Sequence, residues 1–201
     1  MNVMKNLVYL FTVLLIISCK NASEKEGETD TSSEEIGMES NADGLNTRVP
    51  DEEDGGEMLL GKINCKGLQE APFNEWFVES FNTHTLDSAR VDSIKPLLKN
   101  VSIKVFMGTW CEDSQREIPA LQKILEAADY KEEQVEMIAM THDKDTPQGL
   151  EEGYEIEYVP SIIFFKDGAE MNRIVEYPQE TLEKDMVKIL SGKPYKHYYA
   201  E

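Results

Sequence analysis

One cysteine, Cys111, has the surroundings that thiol chemistry needs. It follows Trp110, between an apolar run that ends at Met107 and the start of a helical pattern. Backbone N–H groups and the dipole at a helix N-terminus favour a thiolate over a thiol, so this position suits thiol–disulfide exchange. A dithiol motif would have a second cysteine three residues later, where this chain has Ser114. Cys111 therefore has no resolving partner in its own motif.

The side chains beside Cys111 act on its thiol in opposite directions. The hydroxyl of Ser114 is predicted to form a hydrogen bond that favours the thiolate. Glu112 and Asp113 bring negative charge that disfavours it, and Arg116 offsets part of that charge. We expect a moderately reactive thiol, the alternative being a buried and inert cysteine.

The other two cysteines require separate interpretations. Cys65 lies N-terminal to the predicted Cys111 element and is a possible resolving thiol if the two Cα atoms come within about 7 Å. The alternative is an ordinary, semi-buried cysteine. Cys19 ends a segment that begins with a basic residue and continues with an apolar run too short to form a transmembrane helix.

The segment ending at Cys19 resembles a bacterial lipobox, in which the cysteine is lipidated and becomes the mature N-terminus. We predict that residues 1–19 are a lipoprotein signal peptide, the alternative being a plain signal peptide cut near Ser18. The resemblance implies a lipid-anchored protein of the bacterial cell envelope, facing the periplasm or in the outer membrane.

Residues 20–57 differ from the rest of the chain in composition. They carry 13 acidic residues, a net charge near −10 and no aromatic residue. Such a segment buries too little apolar surface to offset its chain entropy, so it is predicted to be a disordered acidic linker. The acidic run of residues 51–54 lacks the spacing of a calcium loop and is interpreted as part of this spacer.

Residues 58–201 have the length and the alternating pattern of one domain. Their net charge, also about −10, argues against nucleic acid as a partner. Strands are predicted at 58–64, 101–107, 135–140, 161–165 and 171–175, and helices at 72–81, 87–98, from Cys111 through about 128, and 181–190. This order predicts an α/β fold with a central mixed sheet flanked by helices and an N-terminal extension.

Four features together resemble the thioredoxin-like superfamily, over about residues 85–191. Trp110 precedes the cysteine, and Pro119 lies eight residues after it. Val159-Pro160-Ser161 leads into an apolar strand and a glycine turn at Gly168, and an amphipathic helix closes the pattern. The resemblance implies that Cys111 attacks a substrate disulfide, that Trp110 shapes the rim, and that a cis Pro160 beside Cys111 positions the substrate chain.

Three departures from the family pattern bear on activity. Ser114 replaces the resolving cysteine, and Val105 stands where thioredoxins bury an acid that serves the second thiol. Glu176 falls where a glycine normally borders the substrate groove. The resemblance therefore implies a monothiol protein, or a scaffold that has lost turnover.

Other polar and aromatic residues are interpreted conservatively. His142 and Asp143 could reach the edge of the site, but one cysteine leaves a copper site underligated, so a solvated loop is favoured and no metal or cofactor is predicted. The aromatic tail, residues 195–199, is expected to pack on the domain.

The leading hypothesis is a membrane-anchored, thioredoxin-like protein in which Cys111 forms mixed disulfides, with Ser114, Trp110 and Pro160 completing the site. It would serve isomerisation, or reduction with an external resolving thiol. Its partners would be exported proteins with thiols or disulfides, or small thiols. The alternative is a redox-inactive binding module of the cell envelope.

Overall fold

The structure, a computed structural model, describes residues 44–200. The predicted signal peptide, its Cys19 and residues 20–43 of the predicted linker lie outside the described residues. Within residues 44–200, no helix has the length and apolar character needed to cross a membrane.

A six-stranded mixed sheet forms the centre of the fold. Its strands are β1 (Thr47–Pro50), β2 (Glu57–Ile63), β3 (Val101–Met107), β4 (Val135–Ala139), β5 (Ser161–Lys166) and β6 (Ala169–Val175). They lie in the order β1-β2-β4-β3-β5-β6, with β3 and β4 parallel and every other pair antiparallel. This confirms the predicted mixed sheet.

The helices are α1 (Cys65–Leu68), α2 (Asn74–Thr83), α3 (Ser88–Leu97), α4 (Glu112–Ala127) and α5 (Leu182–Leu190), and a 3-10 turn covers Glu132–Gln134. Side-chain caps set three of the starts. Asn64, Asp87 and Thr181 each accept a hydrogen bond from a backbone N–H of the first turn. Helix α4 continues through Pro119, and α3 ends one residue after Pro96.

The two faces of the sheet are covered differently. One face packs against the helices in a large core that includes Ile103, Val105, Ile124 and Phe164. The opposite face buries a smaller cluster: Phe106, Ile138, Met140, Val159 and Ile163. Leu150, Tyr154 and Ile156, from the segment between β4 and β5, cover this second cluster. The central strands therefore carry apolar residues on both faces, as strands covered on both sides do.

The N-terminal boundary of the domain needs correction. We predicted a disordered linker up to residue 57, but strand β1 lies inside that range and pairs with β2, Val49 opposite Met58. Val49 and Asp51 are both buried. Pairing with β2 satisfies the backbone of β1 despite the flanking acidic residues. A strand of four residues hardly changes the average composition of an acidic segment, so composition alone did not indicate it. Residues 44–57 belong to the folded domain.

Candidate active site

Cys111 is the N-cap residue of α4, at the end of the loop that leaves β3. Its side chain is half-buried, and its Sγ donates a hydrogen bond to the carbonyl oxygen of Val159 at 3.2 Å. Backbone bonds from Cys111 N to Gly108 O and from Gln115 N to Cys111 O hold the turn. The thiol is therefore accessible, oriented, and next to the positive end of a 16-residue helix.

Pro160 follows the carbonyl that Cys111 contacts. The Val159–Pro160 peptide bond is cis, which confirms the expectation from the resemblance. The Pro160 oxygen accepts a hydrogen bond from Glu176 N at 2.8 Å, so the loop before β5 is tied to the loop after β6. Cys111 and Pro160 thus come together at one edge of the sheet, as predicted.

Ser114 does not contact the thiol as predicted. It is fully buried on the first turn of α4, and its Oγ accepts a hydrogen bond from Gly108 N at 3.3 Å. Among the described residues no hydrogen bond joins Ser114 to Cys111, whose thiol donates to Val159 instead. The predicted tuning role of Ser114 is therefore corrected: its hydroxyl holds the loop that presents the thiol.

Trp110 is fixed by contacts from the neighbouring loop. Its Nε1 donates to the carbonyl oxygen of Met140 at 3.0 Å, and its ring stacks on His142 with centroids 4.2 Å apart. A Cβ on Gly108 would lie 2.4 Å from the Trp110 ring, so glycine is required for this close approach. The tryptophan beside Cys111 therefore lies in a fixed position at the rim.

The His142 side chain that stacks on Trp110 is held by the N-terminal segment. His142 Nε2 donates to Asp51 Oδ1 at 3.0 Å, and the same carboxylate accepts the backbone N–H groups of Glu53 and Asp54. Burial acts to raise the pKa of Asp51, but these hydrogen bonds outweigh it and lower the pKa. Sequence reasoning missed this support because Asp51 and His142 are 91 residues apart.

Asp51, Asp54 and His142 also offer ligand atoms within 4.8 Å of one another, close enough to hold a metal ion. The hydrogen bonds of Asp51 already account for its burial and orientation. We therefore assign the cluster a structural role in supporting Trp110.

The acidic residues after Cys111 are partly neutralised, as predicted. Arg116 pairs with Asp113 and, at 2.8 Å, with Glu117. Burial raises the pKa of Glu117, and its pair with Arg116 opposes that rise. Glu112 stays exposed on the first turn of α4.

Cys65 lies on the other side of the sheet from Cys111. It belongs to the large helical core, whereas Cys111 packs against the smaller cluster. Its Sγ donates to Gln122 Oε1 at 3.1 Å. Gln122 is 11 residues along α4 from Cys111, which is about 16 Å of helix. The predicted resolving role of Cys65 is therefore corrected: both thiols are free, and the fold holds them apart.

Cys65 should not react in the native state. Burial is the main cause that raises the pKa of Cys65 from 9.0 to about 12, and the negative charges of Glu132 and Glu126 act in the same direction. We expect iodoacetamide at pH 8 to label Cys111 and to spare Cys65 until denaturant is added. Peptide mass mapping measures both, and equal labelling of the two native thiols would contradict the assignment.

The same shift predicts a loss of stability in alkali. Between pH 9 and about 12, unfolded Cys65 loses its proton while folded Cys65 keeps it, so the free energy of unfolding falls as the pH rises. The slope should approach about 1.4 kcal/mol per pH unit from this group. Tyr130, whose pKa burial raises to about 12, acts in the same direction. In Cys65→Ala the free energy of unfolding, measured by urea unfolding at several pH values, should fall less steeply as the pH rises.

Glu176 and the tail border the site on its far side. Glu176 has a φ of 59°, which lies in the left-handed region that favours glycine. This agrees with the expectation that Glu176 stands where the family normally has a glycine. Its carboxylate accepts the hydroxyl of Tyr199, and the Tyr199 ring stacks on Tyr158 at 4.0 Å. The tail packs on the domain, as expected, and it packs beside Pro160.

Comparison with known proteins agrees with this geometry. Residues 75–190 match the model of a family described as thioredoxin. A thioredoxin of Mycolicibacterium smegmatis is 31% identical over 97 residues, which cover 48% of this chain and 75% of the relative. A thioredoxin of Staphylococcus aureus is 30% identical over 91 residues, covering 45% and 83%.

A crystal structure of a protein of unknown function from Pseudomonas aeruginosa aligns with a TM-score of 0.47 and 16% identity, over 61% of this chain and 86% of that one. The family match spans more than half of the chain and includes Cys111, Pro119 and Pro160. The chain therefore belongs to the thioredoxin family, and this membership supports a role in thiol–disulfide redox chemistry.

Proposed function

We propose that this protein carries out thiol–disulfide exchange with Cys111 as its single nucleophile. The observation that carries the proposal is the position of the Cys111 thiol. It is half-buried at the N-terminus of α4, and its Sγ lies 3.2 Å from the carbonyl oxygen that precedes Pro160. A helix N-terminus stabilises the thiolate that forms on deprotonation. Trp110 and Pro160 bound the surface on which a substrate disulfide would lie.

The proposed reaction proceeds through a mixed disulfide. The Cys111 thiolate attacks one sulfur of a substrate disulfide, that S–S bond breaks, and the second sulfur leaves as a thiolate that takes up a proton. An external thiol then attacks the mixed disulfide and regenerates Cys111. If the second thiol belongs to the same substrate, the net result is isomerisation. If it comes from a small thiol, repeated exchange reduces the substrate and oxidises the small thiol.

An external thiol is needed because the described residues offer no internal one near Cys111. Ser114 has a hydroxyl in the place of the second thiol, and Cys65 is buried in the opposite core. The fully buried Val105 is consistent with the lack of a second thiol, since an acidic residue at this position would have no second thiol to serve.

The central test uses the full chain with Cys19→Ser, incubated in detergent with oxidised glutathione. One glutathione adduct should form at Cys111 and be released by dithiothreitol. Cys111→Ala should lose the adduct completely, and the matched control Cys65→Ala should keep it. An unmodified wild-type chain would contradict the proposal and favour the alternative, a binding module without turnover. An adduct that persists in Cys111→Ala would contradict the assignment of the nucleophile.

We further propose that lipidation of Cys19 anchors the domain in the bacterial cell envelope, where exported proteins would be its substrates. The lipobox-like sequence before Cys19 and the acidic segment after it support this location. Metabolic labelling with an alkyne fatty acid should mark the wild-type chain and leave Cys19→Ala unmarked. Equal labelling of the two chains would contradict the anchor.

A further inference from the structure

A cavity of about 760 Å³ lies beside the loop that carries Pro160. Its lining includes Glu155, Glu157, Tyr158, Arg173, His197 and Tyr199. None of these residues has a part in the exchange reaction described above. The cavity is therefore a feature that the thiol chemistry does not explain.

The lining of the cavity is negatively charged. Glu155 and Glu157 are exposed and form no ion pair with any of residues 44–200. Arg173 is engaged, because it pairs with Glu170 at 2.7 Å and donates to the carbonyl oxygen of Tyr154 at 2.6 Å. His197 adds no charge at neutral pH, because burial lowers its pKa and the positive charge of Arg173 lowers it further. A cation would meet two free carboxylates here.

Aromatic rings frame these carboxylates. Tyr158 and Tyr199 stack with an interplanar angle of 17°, and each stays more than a third exposed. The carboxylate of Glu176 accepts the Tyr199 hydroxyl, which adds a third negative group at the rim. Ring faces next to carboxylates attract ammonium and guanidinium groups by cation–π and Coulomb interactions together.

The cavity and the reactive thiol contact the same loop. Tyr158 lines it and directly precedes Val159, whose carbonyl oxygen accepts the Cys111 thiol. Adjacent Cα atoms are about 3.8 Å apart, so a chain lying along this loop would reach both places within a few residues. Glu176 N binds Pro160 O, which holds the carboxylate-bearing loop against the same proline.

We propose that this cavity binds the arginine or lysine side chain of a polypeptide whose disulfide reacts with Cys111. The inference rests on the proposed function and gives it a substrate class: polypeptides with a basic residue near the disulfide. The C-terminal segment, through Tyr199, is then one wall of the substrate site.

The test compares two model peptides with the same disulfide, one with arginine three residues away and one with its uncharged isostere citrulline. With the full chain carrying Cys19→Ser, the arginine peptide should form the mixed disulfide about tenfold faster at low salt. Glu155→Gln with Glu157→Gln should bring the two rates to within about twofold, whereas the matched control Glu79→Gln on α2 should keep the difference. Tyr199→Ala should reduce the preference, and Tyr199→Phe, which keeps the ring, should retain it.

Equal rates for the two peptides on the wild-type chain, or a preference unchanged by the double substitution, would overturn the cation site. Reaction of the citrulline peptide at Cys111 would still support the exchange chemistry, so the two proposals can fail separately. If neither peptide reacts, calorimetric binding of redox-inert versions, with serine for cysteine, tests the cavity alone. Tighter binding of the arginine version, lost in the double variant, would support it, and equal binding would overturn it.

Discussion

Replacing Ser114 with cysteine is expected to convert this monothiol site into a dithiol one. The introduced thiol would lie one helical turn from Cys111, where i and i+3 side chains are neighbours about 5–6 Å apart at Cβ. That separation is within reach of a disulfide after small adjustments. The two thiols could then give two electrons and two protons to a substrate disulfide and close their own S–S bond. Release of substrate from the mixed disulfide should become at least tenfold faster, because the second thiol is held in place.

Insulin reduction with dithiothreitol as the electron donor measures the gain, and mass spectrometry of the oxidised chain should show the loss of two hydrogens. The matched control is Ser114→Ala, which removes the bond from Gly108 N without adding a thiol and should show no gain in activity. That lost bond should lower the free energy of unfolding by about 1 kcal/mol. Oxidised Ser114→Cys protein that carries only mixed disulfides, with no internal one, would contradict the prediction.

Removing residues 1–57, up to the linker boundary expected from composition, should damage the folded domain. This cut removes the β1 pairing, the buried Val49 and the Asp51 carboxylate that holds His142. Burial of one valine and a few hydrogen bonds together suggest a loss of about 3 kcal/mol in the free energy of unfolding. The rate of glutathione adduct formation should also change, because the His142 ring stacks on Trp110 beside the thiol.

A chain beginning at Gly44 is the matched control, since it keeps every described contact of β1. Its urea midpoint should match that of the full chain, while the chain beginning at Met58 should unfold at clearly lower urea. Asp51→Asn, which keeps the shape of the side chain, should reproduce part of the loss. Equal midpoints for the two shortened chains would show that residues 44–57 do not stabilise the domain.

Much of the architecture follows from local sequence patterns. The alternation along residues 101–107 predicts β3, because side chains repeat every two residues along a strand. The strongly apolar run of residues 161–165 predicts β5 as a strand buried on both faces. The spacing of Ile118, Leu121, Ile124 and Leu125 predicts α4, because a helix repeats every 3.6 residues. These patterns depend only on residues that are close together in the chain, so they can be recognised without knowledge of the fold.

Other features depend on contacts between distant parts of the chain. The strand β1 has only four residues inside an acidic stretch, and it exists because β2 offers backbone partners. Ser114 and Cys65 looked like partners of Cys111 from their residue types. The direction of each side chain sends Ser114 to the Gly108 backbone and Cys65 into the opposite core. Side-chain direction is set by packing, which a linear pattern does not contain.

The sequence by itself determined the chemistry that this protein can have. A lone cysteine after Trp110, a serine three residues on and a proline before β5 identify a thiol site of the thioredoxin type, because residue identity decides which group can attack a disulfide. Only the tertiary structure decided what surrounds that thiol. It excluded Cys65 as a partner, brought Asp51 and His142 against Trp110, and placed the tail tyrosines beside Pro160. These contacts join residues that are far apart in the chain, and they form only when the sheet and its loops close around a common core.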